Sequence, residues 1–241
     1  MGLFGPPDIE KLKRRGRAKK LVKLLGYTGA SSFSTLNRRK EAAQARDELG
    51  WKASTQQEKV AYSVAIGDWE RCAEIGEPAV PELVCLLRIL SDDWRAIHRP
   101  YSASVVDSMR QHPEGAALLD VFERIGAPAV EPLVEALQTG SNPLAATVLA
   151  CIGDPRAVAG LQRALEDGPP FATETHQAPA EALGYFPDPD NAEILLEVLR
   201  AAGTSDMSLT TTVALGRVGP QLDDPDLRRR IIKALYTAAH R

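Results

Sequence analysis

The stretch Ile75-Gly76-Glu77-Pro78-Ala79-Val80-Pro81-Glu82-Leu83-Val84-Cys85-Leu86-Leu87 decides how this chain folds. It returns almost letter for letter as Ile125-Gly126-Ala127-Pro128-Ala129-Val130-Glu131-Pro132-Leu133-Val134-Glu135-Ala136-Leu137. A looser copy starts at Ile152-Gly153-Asp154-Pro155 and ends at Ala164-Leu165. Each copy reads as the end of one helix, a tight turn and the start of the next. The glycine suits the left-handed position just past a helix, where any Cβ is strained. The proline two residues on suits the first turn of the following helix, where its missing N–H is no loss. Asp154 is a good N-cap between them; Glu77 and Ala127 are poor ones.

The second helix of each copy carries an apolar stripe. Val80, Leu83, Val84 and Leu87 fall at i, i+3, i+4 and i+7, and Val130, Leu133, Val134 and Leu137 repeat that spacing. After Asp188-Pro189 the stripe is Ala192, Leu195, Leu196 and Leu199. After Asp224-Pro225 the same slots hold Arg228, Ile231, Ile232 and Leu235. One helical hairpin cannot cover such a stripe, whereas stacked hairpins can. The glycines at 126, 153, 184 and 216 are spaced for two short helices per repeat. The step from Gly76 to Gly126 is longer, which predicts a helical insertion over residues 91–124. The expectation is therefore an all-α fold of about 14–15 helices. It would be a single array over residues 1–241, an α-α superhelix of the HEAT/armadillo-like solenoid kind.

These residues resemble the HEAT-like repeats of the phycobilisome-lyase type. The shared signature is I-G-x-P-A-V-x-x-L-V-x-x-L at 75–87 and 125–137, with a weaker D-P-x-A-V at 154–158. The opening Pro7-Asp8-Ile9-Glu10-Lys11-Leu12 is similar to that type as well, and so is the link from Leu49-Gly50-Trp51 to Gly67-Asp68-Trp69. The resemblance implies the fold and a family of scaffolds, chaperone-like lyase subunits, enzyme-associated modules and a few DNA glycosylases. Its glycines and prolines are structural, so it carries over no catalytic residue.

Charge is unevenly placed. Residues 1–52 hold 13 Lys/Arg against 5 Asp/Glu, and the remainder 16 against 27. The basic run comprises Lys11, Lys13, Arg14, Arg15, Arg17, Lys19, Lys20 and Lys23. It reads either as a phosphate-contacting surface or as the solvated face of two short helices. With no aromatics interleaved for base stacking, the expectation is only weak nucleic-acid contact.

Elsewhere the chemistry is sparse. The four histidines, His98, His112, His176 and His240, show no metal-ligand spacing, and Cys72, Cys85 and Cys151 form no CxxC pair. No metal, cofactor or catalytic residue is expected. There is no run of about 18 apolar residues for a membrane span. Met1-Gly2-Leu3-Phe4-Gly5-Pro6-Pro7 lacks the apolar stretch of a signal peptide. The cysteine usage fits a reducing cytoplasm.

The predicted function is a protein-binding scaffold or adaptor. Its candidate contacts lie on the exposed side of the second helices, at Glu82, Arg88, Glu135, Arg163 and Glu197. Others lie in the insertion, at Trp94, Arg95, His98, Arg99 and Tyr101, whose residue types dominate binding hot spots. Two alternatives stand beside it. One is a lyase-like or chaperone-like subunit that assists modification of a partner protein. The other is nucleic-acid binding through the basic N-terminal helices.

Overall fold

In the computed structural model, which describes residues 8–26, 32–97, 104–138, 142–166, 174–203 and 205–240, every regular element is helical. Side chains at 32–34, 92–97 and 174–175 lie outside that description. The fold is all-α, with fifteen α-helices among the described residues. The chain divides into two compact units, Met1–Ile97 and His98–Arg241.

The first unit holds α1 (Ile9–Arg14), α2 (Ala18–Leu25), α3 (Ser32–Glu48), α4 (Gln56–Ile66), α5 (Trp69–Ile75) and α6 (Val80–Ile97). Its core joins Ile9, Leu21, Leu24 and Leu25 to the alanines Ala42, Ala43, Ala45 and Ala65. Alanines there let short helices approach closely, and Leu21 and Leu25 lose all contact with water. Each such leucine contributes about 1.5–3 kcal/mol by burial. Thr55-Gln56-Gln57-Glu58 has the form of a capping box at the start of α4. Thr55 accepts from the Glu58 N–H at 3.1 Å, and the Glu58 carboxylate is held by Ser54, at both N and Oγ, and by the Thr55 N–H.

The second unit holds α7 (Val105–Gln111), α8 (Pro113–Ile125), α9 (Val130–Gln138), α10 (Pro143–Ile152), α11 (Val158–Glu166), α12 (Glu174–Leu183), α13 (Pro189–Ala202), α14 (Asp206–Val218) and α15 (Pro225–Ala239). Its substantial pairings join helices one or two places apart in the chain, α7 against α10 excepted. α8 packs on α10, α10 on α12 and α12 on α14; α9 packs on α11 and α13 on α15.

The two near-identical segments adopt one conformation. Ile75 and Ile125 end their helices, and Gly76 (φ 73, ψ −136) and Gly126 (φ 66, ψ −131) turn the chain. A single 3-10 turn follows in each, Glu77–Ala79 and Ala127–Ala129. Ala79, Leu83, Ala129 and Leu133 are at zero exposure, and Val80 and Val130 are buried; further along the stripes differ, with Leu87 buried where Leu137 is half-buried and Val134 buried where Val84 is half-buried. The glycine is not in the αL well expected for a helix cap. It lies in a region of positive φ and extended ψ that is nearly closed to other residues. The third copy carries one extra residue. Gly153 sits in αL proper, and Asp154 caps the 3-10 turn by accepting from the Arg156 N–H at 3.0 Å.

Further along, three sequence expectations need correction. Gly184 and Gly216 are not left-handed turn residues: Gly216 lies inside α14, and neither has positive φ. Gly184 serves close packing instead, because a Cβ there would come within 2.8 Å of the Ala214 Cα. On α15 the buried positions are Leu227 and Ile231, so the stripe is turned from the predicted register, and Ile232 is 67% exposed. Residues 91–97, assigned to the insertion, continue α6. The Ser91 hydroxyl donates back to the Leu87 carbonyl at 2.9 Å, so the helix passes through a residue that reads as a boundary.

Candidate functional site

Four of the predicted contact residues face solvent: Arg88 on α6, Glu135 on α9, Arg163 on α11 and Glu197 on α13. Their helices bury the apolar stripe, which turns these positions outward. Glu82 is different and its assignment as an exposed contact is corrected. It is half-buried and accepts a 2.6 Å hydrogen bond from Arg39 Nη1, whose own side chain is wholly buried in α3. A buried guanidinium needs such a carboxylate, since an unpaired charge there is strongly destabilising. Trp94 and Arg95 fall in the last turn of α6 with side chains outside the description, and His98, Arg99 and Tyr101 lie outside the described residues.

The basic N-terminal run is a solvated surface. Lys11, Arg14, Arg15, Arg17, Lys19, Lys20 and Lys23 are all exposed, and Lys13 pairs with Glu48. No aromatic ring is interleaved among them.

A polar cluster that sequence reasoning missed lies inside the second unit. Glu181 of α12 is 1% exposed. Its carboxylate accepts from Ser104 Oγ at 2.5 Å and from the Val105 N–H at 2.6 Å. It thereby holds the N-terminus of α7, where a negative charge is favoured by the unpaired N–H groups. Arg217 of α14 approaches Glu181 at 3.5 Å and lies over the Tyr185 ring. Near them Arg110 links Glu123, at 2.7 Å, to the Cys151 sulfur, at 3.7 Å. Burial pushes the Cys151 thiol up to about 11 despite the guanidinium, and burial also raises the Tyr185 hydroxyl. A thiol so raised stays protonated at neutral pH and is a poor nucleophile. The cluster therefore acts as a latch between helices. One signal was legible: Glu181 is the only charge in Ala178-Pro179-Ala180-Glu181-Ala182-Leu183.

Burial pushes the Cys72 thiol up to about 12. Among the described residues no three of His, Cys, Asp and Glu are grouped to hold a metal ion. Also among them, no helix is long and apolar enough to cross a membrane.

One cleft is shaped to receive something. It lies between the last turns of α13 and the second half of α15, with a volume of about 320 Å³. Leu199, Ala234 and Ala238 supply apolar walls; Arg200, Arg230, Lys233 and Thr237 supply polar ones. Arg230 is committed to Glu193 through contacts of 2.5 and 2.7 Å. That volume is at the small end of binding pockets and suits one or two side chains.

Comparison of the chain with protein-family models, curated proteins and solved structures finds no match in any of the three.

Proposed function

We propose that this protein is a scaffold or adaptor that binds other proteins along a HEAT-like helical array of the phycobilisome-lyase type. The observation that carries the reading is the pairing order in the second unit. Helices contact those one or two places along, so α8, α10, α12 and α14 make one layer, and α9 with α11 and α13 with α15 belong to the other. Nearest-neighbour stacking of this kind is how repeat arrays are built, and in such an array one face of the second helices is left free for a partner. That face presents Glu135, Arg163, Glu197 and Arg200, all solvent-exposed. The mechanism is surface complementarity, with charge pattern and the cleft beside α15 selecting the partner.

A weaker activity follows from the exposed cations of α1 and α2, which favour salt-sensitive contact with polyanions. Affinity capture from a cell extract, with identification of bound proteins and nucleic acid, separates the readings. A defined protein partner that survives nuclease and physiological salt supports the scaffold. A tightly held nucleic acid, lost on neutralising Lys19, Lys20 and Lys23, contradicts it.

A further inference from the structure

We propose that the cleft between α13 and α15 binds an acidic, amphipathic segment of a partner protein. A carboxylate sits between Arg200 and Lys233, and an apolar side chain packs on Leu199, Ala234 and Ala238. The inference rests on the protein-binding reading and names the chemistry of the partner at this position.

Charge chooses the sign of the occupant. Three cations line the cleft, and Glu193 neutralises one of them, Arg230. Arg200 and Lys233 stand exposed on opposite walls with no carboxylate partner among the described residues. The C-terminal carbonyls of α13 are close to Arg200 and offset part of its charge. Lys233 stands six residues before the end of α15, beyond the reach of that helix's own terminal turn. Two of the three cations lining the cleft are thus left for an occupant, and a guanidinium with an ammonium is a good receptor for a carboxylate.

Shape and surroundings choose the class. The apolar walls are aliphatic, and among the described residues no aromatic ring lines the cleft to stack on a base. One turn along α15 from Lys233, Tyr236 is 66% exposed, and its ring is already stacked on His240 with centroids 4.1 Å apart. Tyr236 and the 67% exposed Ile232 lie on the other side of α15 from the cleft-lining residues, so neither ring nor side chain enters it. A cationic rim around aliphatic walls matches a helix with acidic residues three or four positions from leucine-like ones, the usual helix-in-groove arrangement. A nucleic acid would find charge here and little else.

The experiment selects binders from a displayed library of random 16-residue peptides on the full chain. The best peptides are then synthesised and titrated against wild type and the Arg200→Glu/Lys233→Glu variant. Because Arg200→Glu places a carboxylate at the C-terminal carbonyls of α13, the neutral Arg200→Gln/Lys233→Gln pair, whose Tm should stay close to wild type, is titrated alongside it. The expected result is enrichment of Asp or Glu spaced three or four from Leu, Ile or Phe. Charge reversal should weaken binding at least tenfold, and so should Glu→Gln in the peptide. Selected peptides that bind the variant with unchanged affinity overturn the cleft assignment and leave the scaffold reading standing. Failure to enrich acidic peptides overturns it too. So does a 16-nucleotide single strand that binds more tightly than the peptides and is lost in the variant.

Discussion

Two pairs of stacked helices in the second unit, α9 with α11 and α13 with α15, end differently. Between α9 and α11 the gap is closed by a glycine. A Cβ at Gly160 would meet Val134 Cγ1 at 2.7 Å, so the helices touch where any other residue would hold them apart. Outside that contact, Gln138 and Arg163 face each other along the surface. Between α13 and α15 charged and long side chains occupy the facing positions, and a cleft of about 320 Å³ remains. The same backbone plan gives a closed contact or a receptor according to what faces the seam. The closed pair is structural, and the open pair is where chemistry is available.

The comparison can be broken most severely at the centre of the closed pair. Leu133→Ala removes a fully buried side chain beside that seam, and Leu83→Ala does the same at the matching position of the first unit. Each should cost about 2–5 kcal/mol in denaturant unfolding. A loss below about 0.5 kcal/mol at both would show that the two segments do not hold equivalent core positions. Next in size is Gly160→Ala, which forces α11 away from Val134 and should destabilise by about 1–3 kcal/mol through overpacking. If it is neutral, the seam is looser than its geometry implies.

Smaller effects sharpen the contrast. Asp154 caps the turn into α11, and hydrogen bonds from the Arg156 side chain and backbone hold its carboxyl below the usual carboxylate range. Its folded-state value is depressed, so its contribution is present above the unfolded value near 4 and fades as pH falls through the folded one. The Tm difference between wild type and Asp154→Ala should therefore narrow between pH 6 and pH 3; a gap that widens on acidification would contradict the capping role. Cys72 and Cys151, both raised by burial, should resist iodoacetamide at pH 8 in the native protein and react after denaturation. The smallest effect belongs to the open pair. Ile232→Ala and Arg200→Ala should each change stability by less than about 0.5 kcal/mol, because neither side chain is packed.

Much of the fold was legible because local signals agreed. Glycine, proline and a 3.6-residue stripe point to the same junction at Gly76 and Gly126, and the two segments share one backbone path. Where a glycine is present for packing, its letter is the same but its reason lies in another helix. Gly184 against Ala214 and Gly160 against Val134 are of this kind. The stripe of α15 slipped for a related reason: which of its apolar residues are covered depends on where α13 and α14 come to lie against it, and Ile232 stays outside.

The candidate site was less legible. Exposure of Glu135, Arg163 and Glu197 follows from periodicity, since the opposite face is apolar. Glu82 obeys the same periodicity, yet Arg39, more than forty residues earlier, claims it. Glu181 could be noticed as a charge among alanines, but its partner Ser104 is 77 residues distant. The cleft joins residues of α13 and α15 that share no motif. Each of these depends on which helix comes to lie beside which, and pattern within one helix does not contain that.

The central claim is that this protein works by holding another protein on the open side of its second helices. A photo-reactive phenylalanine analogue at Thr237, in the cleft, tests it directly, with the same group at the exposed Gln57 as control. After capture from an extract and illumination, the account predicts a discrete protein adduct at position 237, absent at 57 and competed by an acidic amphipathic peptide. Nucleic-acid adducts, or the same diffuse labelling at both positions, would contradict it.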